Sequence, residues 1–203
     1  MNLPAQDHRL RLLRALEHVL GDKSYRDVTL SDITAAAKVS RRTFYEHFAN
    51  KDECLLALCD DTNQRILTLV IASFTLEDDW PDVVAKVTHT YLSFIDAHPS
   101  LMLALYVETP TLGQCGLESR RKVSETFAEF LRSQTAIRSA RGEALDEIDG
   151  PTAITLVAGI NELILYRLQD RFAGGDNLMS LLGTASSVVL RMTGSLRTQP
   201  RSA

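Results

Sequence analysis

Apolar positions recur at intervals of three and four along almost the whole chain, and sustained two-residue alternation is absent. That is the period of helices, not of strands. In the first stretch Leu10, Leu13, Leu16, Val19 and Leu20 share one stripe, with Arg9, Arg11, Arg14 and Glu17 off it. The spacing predicts a helix from about Asp7, closed by Gly21. A second start follows at Thr29-Leu30-Ser31-Asp32, with Ile33, Ala36 and Ala37 as the inner face and an end near Lys38-Val39. Ser40 is a good cap for a short third helix from Arg41 to Phe48. Ala49-Asn50 break it, and Lys51-Asp52-Glu53 open a long fourth helix that runs to about Phe74 through Leu55, Leu58, Ile66, Leu69 and Val70.

The pattern continues. A fifth helix is expected from Pro81, suited to a first turn, to about Ala97. A short sixth opens at Pro99 and ends before Thr109-Pro110-Thr111, with Gly113 and Gly116 marking a loop. A seventh runs from about Glu118 to Ala140 with Val123, Phe127, Phe130 and Leu131 inward. An eighth follows Pro151 to about Phe172. Gly174-Gly175 breaks the chain before a ninth, about Asp176 to Gly194. The expectation is an all-α fold of about nine helices. It divides into a head at 1–52, a larger body at 53–195, and a flexible tail at 196–203.

Composition narrows the classes. With 203 residues, 45% hydrophobic and 24% charged, the chain has ordinary globular make-up. No apolar run approaches the ~20 residues of a membrane span, and the N-terminus turns polar at once, without a secretory h-region. Three cysteines (Cys54, Cys59, Cys115) give no disulfide framework, so a reducing cytoplasm is expected. Net charge is −4, against a coat of non-specific nucleic-acid binding. Residues 1–53 hold nine basic and eight acidic residues, whereas the remainder holds 13 and 18. That mild asymmetry permits a DNA-binding head on an acidic body. The P-loop, the dinucleotide glycine fingerprint, H-E-x-x-H and G-x-S-x-G are all absent, and the reading is not an enzyme. Asp60-Asp61 and Asp78-Asp79 read as solvated surface charge. No cofactor or metal is expected; His47 has no second ligand near it in sequence.

The informative stretch is 29–51. Two short helices flank a tight turn at Lys38-Val39, the spacing of a helix-turn-helix. On the second helix Phe44 and Phe48 lie about 40° apart and face inward. Arg42, Thr43 and Glu46 occupy the outer arc. Arg41 and Arg42 sit at the N-terminus, the end of a recognition helix that meets base edges. Arginine pairs bidentately with guanine, while Thr and Tyr hydroxyls suit phosphates. Lys51, at the start of the next helix, combines positive charge with free backbone N–H groups. Glu46 is expected to pair with Arg42.

The runs Val28-Thr29-Leu30-Ser31-Asp32-Ile33, Ala37-Lys38-Val39-Ser40 and Thr43-Phe44-Tyr45-Glu46-His47-Phe48-Ala49-Asn50-Lys51-Asp52-Glu53 resemble the TetR family of transcriptional regulators. The motif covers about residues 7–58; the remainder is similar in helix count and order. The resemblance implies an all-α homodimer with a DNA-binding head and a ligand-binding, dimerising body. By position, Arg41, Arg42 and Tyr45 would face bases. Thr29, Ser31, Thr43, His47 and Lys51 would lie at or near the phosphates, with the cap Ser40 among the DNA-binding set. Two positions depart from the family pattern. Lys38 stands where the turn often has Gly, at a cost of ~1–2 kcal/mol for a left-handed residue. Thr34 stands where Ala is common.

In the body, Ile154, Leu156, Val157, Ile160, Leu163, Ile164, Leu165 and Leu168 cover nearly all sides of the eighth helix, and the ninth repeats this. A helix apolar all round is buried on more than one side, and a partner subunit is the expected cover. Val157, Ile160, Ile164, Leu168, Leu181, Leu182, Ala185 and Val189 are the expected dimer interface. Polar groups on apolar helices are pocket candidates: His89, Tyr91, Tyr106, Asn161, Glu162 and Tyr166, with Phe94, Met102 and Phe127 as apolar lining. The effector is expected to be a small apolar or amphipathic molecule. The leading expectation is a cytoplasmic, ligand-responsive repressor on a palindromic operator of double-stranded DNA. A helical carrier or enzyme with a vestigial head is the alternative.

Overall fold

The computed structural model describes residues 3–172 and 177–194, with side chains from Asp7. Nine α-helices appear among them: α1 (Leu3–Asp22), α2 (Leu30–Ala37), α3 (Arg41–Tyr45), α4 (Lys51–Ala72), α5 (Trp80–Ala97), α6 (Pro99–Val107), α7 (Gly113–Ala140), α8 (Gly150–Phe172) and α9 (Leu182–Met192). Short 3-10 turns sit at Tyr25–Asp27, Thr109–Thr111 and Leu178–Leu181, and no strand occurs among the described residues. The chain is all-α, as the periodicity requires. The expected break at Gly174-Gly175, the ninth helix's start at Asp176 and the tail at 196–203 lie outside the described residues.

Boundaries moved where capping and packing override the apolar pattern. α1 begins at Leu3 rather than Asp7, because Pro4 is tolerated in a first turn. α3 is shorter than expected: it ends at Tyr45, and a turn carries the chain to Phe48. α7 starts at Gly113, before the expected Glu118. Gly116 belongs to its first turn, not to a loop. A Cβ there would meet the Thr109 carbonyl oxygen at 1.9 Å, so only glycine lets this turn lie against that backbone. The ninth element opens as the 3-10 turn at Leu178–Leu181 before α9 and stops at Met192, short of Gly194.

The helices group into two compact units. The first runs up to Arg65 and takes in His98–Arg121; the second holds Ile66–Ala97 and the described residues from Lys122 on. In the first, α1 packs on α2, α3 and α6. Its core includes Leu12, Leu13, Leu16, Ile33, Phe44, Phe48, Leu55 and Leu58, all at most 2% exposed. In the second, α5 packs on α9 and α8 on α9. Trp80, Val83, Val84 and Val189 form its central cluster, with Phe74, Val87, Leu131 and Ile160 against it. Ala128, Ile148, Ala153 and Leu156 form a neighbouring cluster. Trp80 Nε1 donates to Thr193 Oγ1 at 2.8 Å. The guanidinium of Arg138, wholly buried, donates to the carbonyls of Asp78 (2.6 Å) and Thr75 (3.2 Å) and to Glu143 Oε1 (2.8 Å). A buried arginine with these acceptors is an anchor for the loop before α5. No helix among the described residues is long and apolar enough to cross a membrane.

Candidate nucleic-acid interface and ligand cavity

Two side-chain caps set the helix-turn-helix geometry. Thr29 Oγ1 accepts from the Asp32 amide at 3.2 Å, and Asp32 Oδ2 accepts from the Thr29 amide at 2.9 Å, a reciprocal capping box at the start of α2. Lys23 donates to the other Asp32 oxygen at 2.8 Å. That ammonium, with the Thr29 donors, holds the Asp32 carboxyl down at about 2. Ser40 Oγ accepts from the Thr43 amide at 3.0 Å and caps α3. Asn50 Oδ1 accepts from the Glu53 amide at 2.8 Å and starts α4.

Between α2 and α3 the turn residue Lys38 is left-handed (φ 55°, ψ 46°), the conformation that Gly adopts without strain. It is held there from outside. Arg11 on α1 donates to the Ala37 carbonyl at 2.5 Å and to the Lys38 carbonyl at 3.3 Å, satisfying acceptors that the end of α2 leaves open. Thr34 is buried, and its hydroxyl donates back to the Leu30 carbonyl at 3.0 Å. The buried Thr34 hydroxyl is therefore satisfied within its own helix.

α3 is locked by Phe44 (0% exposed) and Phe48, whose rings lie 5.6 Å apart. Its opposite arc is open. The Arg42 side chain is 90% exposed and pairs loosely with Glu46 at 3.3 Å, the pairing expected from the sequence. Tyr45 is 59% exposed, which removes it from the core. Arg41 donates to Ser31 Oγ at 2.5 Å, so two of the sequence-selected residues meet directly. Thr29 is exposed, and Thr43 is half-buried with its hydroxyl 3.0 Å from Ser40 Oγ. His47 is half-buried, its ring edge-on to His8 at 6.4 Å. Lys51 braces the head. Its ammonium donates to the Tyr25 (3.1 Å) and Val28 (3.0 Å) carbonyls and lies 4.6 Å from the Tyr25 ring centre. The Tyr25 hydroxyl donates to Asp52 at 2.5 Å, and burial beside that carboxylate pushes the phenol upward.

The second unit holds a half-open cavity of about 110 Å³. Val70 of α4, Trp80 to Leu92 of α5, Phe127 to Gln134 of α7, Val157 to Asn161 of α8, and Ala185 and Val189 of α9 contribute its walls. Of the nine pocket candidates, three line it: Tyr91, Phe127 and Asn161. Tyr91 donates its hydroxyl to Asn161 Oδ1 at 2.8 Å and packs against Phe127 at 5.5 Å. The other six do not line it. His89, two residues before Tyr91, is turned about 200° from it and is exposed. Glu162 and Tyr166 are exposed on the outer face of α8, where their hydrogen bond raises the Tyr166 phenol. Phe94 is buried in the core without lining the cavity. Met102 and Tyr106 belong to α6, in the first compact unit. The sequence reading missed Trp80, Thr88 and Gln134 as lining. Gln134 was legible, since it continues the stripe of Phe127, Phe130 and Leu131 by one turn.

The expected dimer seam also turned inward. Ile164 and Leu168 are fully buried, Leu181 is buried, and Leu182 is half-buried. Val157, Ile160, Ala185 and Val189 line the cavity. What α8 and α9 leave exposed is Ile154, Leu163, Tyr166, Val188 and Met192. A helix apolar on every side gives no phase by which to tell core from partner. Among the described residues, no three His, Cys, Asp or Glu side chains cluster as a metal would need.

Residues 12–58 match the family model described as bacterial regulatory proteins, tetR family. The chain is 24% identical over 169 residues to the HTH-type transcriptional regulator EthR of Mycobacterium tuberculosis, covering 79% of this chain and 74% of that protein. Similar solved structures include the transcriptional regulator FadR from Bacillus subtilis in complex with stearoyl-CoA. Its TM-score is 0.76 at 15% identity, covering 90% of this chain and 98% of that one. The regulatory protein TetR from Rhodobacter sphaeroides gives a TM-score of 0.68 at 22% identity, over 91% and 97% of the two chains.

Proposed function

We propose, on the match of residues 12–58 to the tetR-family model, that the chain is a TetR-type cytoplasmic repressor, acting by binding and not by catalysis, that a small molecule releases from a palindromic operator. The observation that carries this reading is the open arc of α3. Arg41, Arg42 and Tyr45 are exposed on a helix that Phe44, Phe48 and the Ser40 cap hold rigidly. Arg41 and Arg42 read bases in the major groove, and Tyr45 and the hydroxyls of Thr29, Ser31, Ser40 and Thr43 meet phosphates or bases. His47 and Lys51 lie at the backbone edge of the same head.

Residues 1–52 serve as the reading head and 53–195 as the sensing and dimerising body. Two copies pair through the apolar outer faces of α8 and α9, where Ile154, Leu163, Tyr166, Val188 and Met192 stay exposed. Their heads then meet successive major grooves ~34–36 Å apart. The effector occupies the cavity behind Trp80 and Tyr91. α4 is the route of coupling. Val70 lines the cavity, and Lys51 in the first turn of the same helix grips the Tyr25 and Val28 carbonyls. The coupling is bounded by the effector's difference in affinity between the two states.

Selection of genomic fragments by the purified protein, followed by footprinting at about 150 mM salt to suppress phosphate-only binding, tests the reading. A protected palindrome is expected. Binding with no protected site under those conditions overturns the repressor assignment in favour of a carrier with a vestigial head.

A further inference from the structure

Most basic side chains of the head are already engaged. Arg14, Lys23, Arg26 and Arg42 pair with carboxylates, and Arg11 and Lys51 donate to backbone carbonyls. Arg9 on α1 is different. It is exposed, and no carboxylate pairs with it among the described residues. Its guanidinium carbon lies 5.4 Å from the centre of the Phe48 ring. A ring face attracts a guanidinium without consuming its five N–H donors. Phe48 is 2% exposed and packs on Phe44, so Arg9 has a rigid seat. The same turn of α1 meets the exit of α3 a second time. The His8 ring lies edge-on to His47 at 6.4 Å, and His47 lies 6.5 Å from Phe48. Arg9 therefore stands beside His47, at the end of α3 opposite to Arg41 and Arg42. The neighbouring acid Asp7 is turned about 200° from it and lines a groove with Arg11, Arg14 and Ala37 instead.

Resting on the reading of this head as a DNA-binding unit, we propose that Arg9 holds a phosphate of the operator backbone, so that DNA contact extends from α3 onto α1. The residues selected from the sequence all lie between Thr29 and Lys51, and Arg9 adds a contact from a separate helix. A guanidinium matches phosphate oxygens with two parallel N–H bonds. An arginine loose in water loses side-chain freedom when it binds; one already seated on a buried ring loses less. The contact reads no base. It fixes the orientation of the head on the duplex, outside the groove that α3 enters. It also displaces counterions from the duplex, and so leaves its mark in the salt dependence of binding.

The test uses the full chain and a fluorescently labelled duplex carrying the footprinted operator, with anisotropy followed from about 100 to 400 mM KCl. Arg9→Gln, and Arg9→Met, which keeps an apolar stem on Phe48, weaken binding about tenfold at about 150 mM salt. In both, the slope of log affinity on log salt becomes shallower by about one. A duplex of scrambled sequence shows the same loss, as a phosphate contact requires. Arg9→Lys keeps the charge and the slope. Arg132→Gln removes an equal charge from α7 and changes neither slope nor affinity. Native slope and affinity in Arg9→Gln overturn the proposal while the operator reading stands. Weakened binding with an unchanged slope also overturns it, since Arg9 then acts through its seat on Phe48. A native protein that protects no site overturns the reading of the head, and the proposal falls with it.

Discussion

Arg11 Nη2 lies 2.5 Å from the carbonyl oxygen of Ala37, 26 residues along the chain. The contact fastens the first helix of the head to the last turn of the second, at the residue before the left-handed Lys38. The turn that leads into α3 is thus held by a side chain of α1, not by a glycine within it.

Lys38→Gly should relieve backbone strain and stabilise the protein by about 0.5–1 kcal/mol, since part of the gain is offset by the entropy of Gly in the unfolded chain. Arg11→Ala, which strips a charge-assisted bond from partly buried carbonyls, should cost about 1–2 kcal/mol. Urea unfolding followed by far-UV circular dichroism gives both signs.

Asp32 carries a pH signature. Its carboxyl is held down at about 2 by Lys23 and Thr29, below the usual carboxylate range. A depressed folded-state value contributes stability that is fully present above the unfolded value, near 4, and is lost as pH falls through about 2. The stability difference between the native protein and Asp32→Asn should be largest near pH 6 and shrink steadily toward pH 2. A difference that stays constant across that range would remove the capping box from the account of the head.

Arg138 should be the costliest polar residue of the second unit to lose. Arg138→Ala leaves the Thr75 and Asp78 carbonyls without their donor and Glu143 without its partner. A loss of roughly 3 kcal/mol is expected. Trp80, the single tryptophan, sits 5.9 Å from that guanidinium, so its fluorescence reports the unfolding directly.

The exposed strip of α8 and α9 predicts where dimerisation breaks. Leu163→Glu places two carboxylates in a self-facing apolar patch and should weaken the dimer by at least about a hundredfold. Ile137→Glu, equally exposed but on α7, should leave it intact. Sedimentation velocity over a concentration series separates them.

Much of the head was legible in the sequence because its signals are local. Ser40 before Arg41, Thr29 three residues before Asp32, and Phe44 with Phe48 on one stripe each specify a cap or a face without help from distant residues. The body resisted because its signals are not local. Ile160 and Leu163 are equally apolar, and only packing against α5 and α9 decides that the first lines the cavity and the second faces out. Tyr91 and His89 were equal candidates, and two residues of helix rotation separated them. The clamp of Arg11 on Ala37 spans 26 residues and leaves no mark in either segment's own pattern.

The most direct measurement is the affinity of Arg41→Ala/Arg42→Ala for the footprinted operator at about 150 mM salt, beside the native protein, with dimer mass and helix content checked on the same samples. Both side chains are exposed and neither supports the core, so the fold and dimer should be unchanged. Loss of two base-reading arginines should weaken specific binding by at least about a hundredfold. Operator affinity equal to that of the native protein would show that α3 does not read DNA through this face.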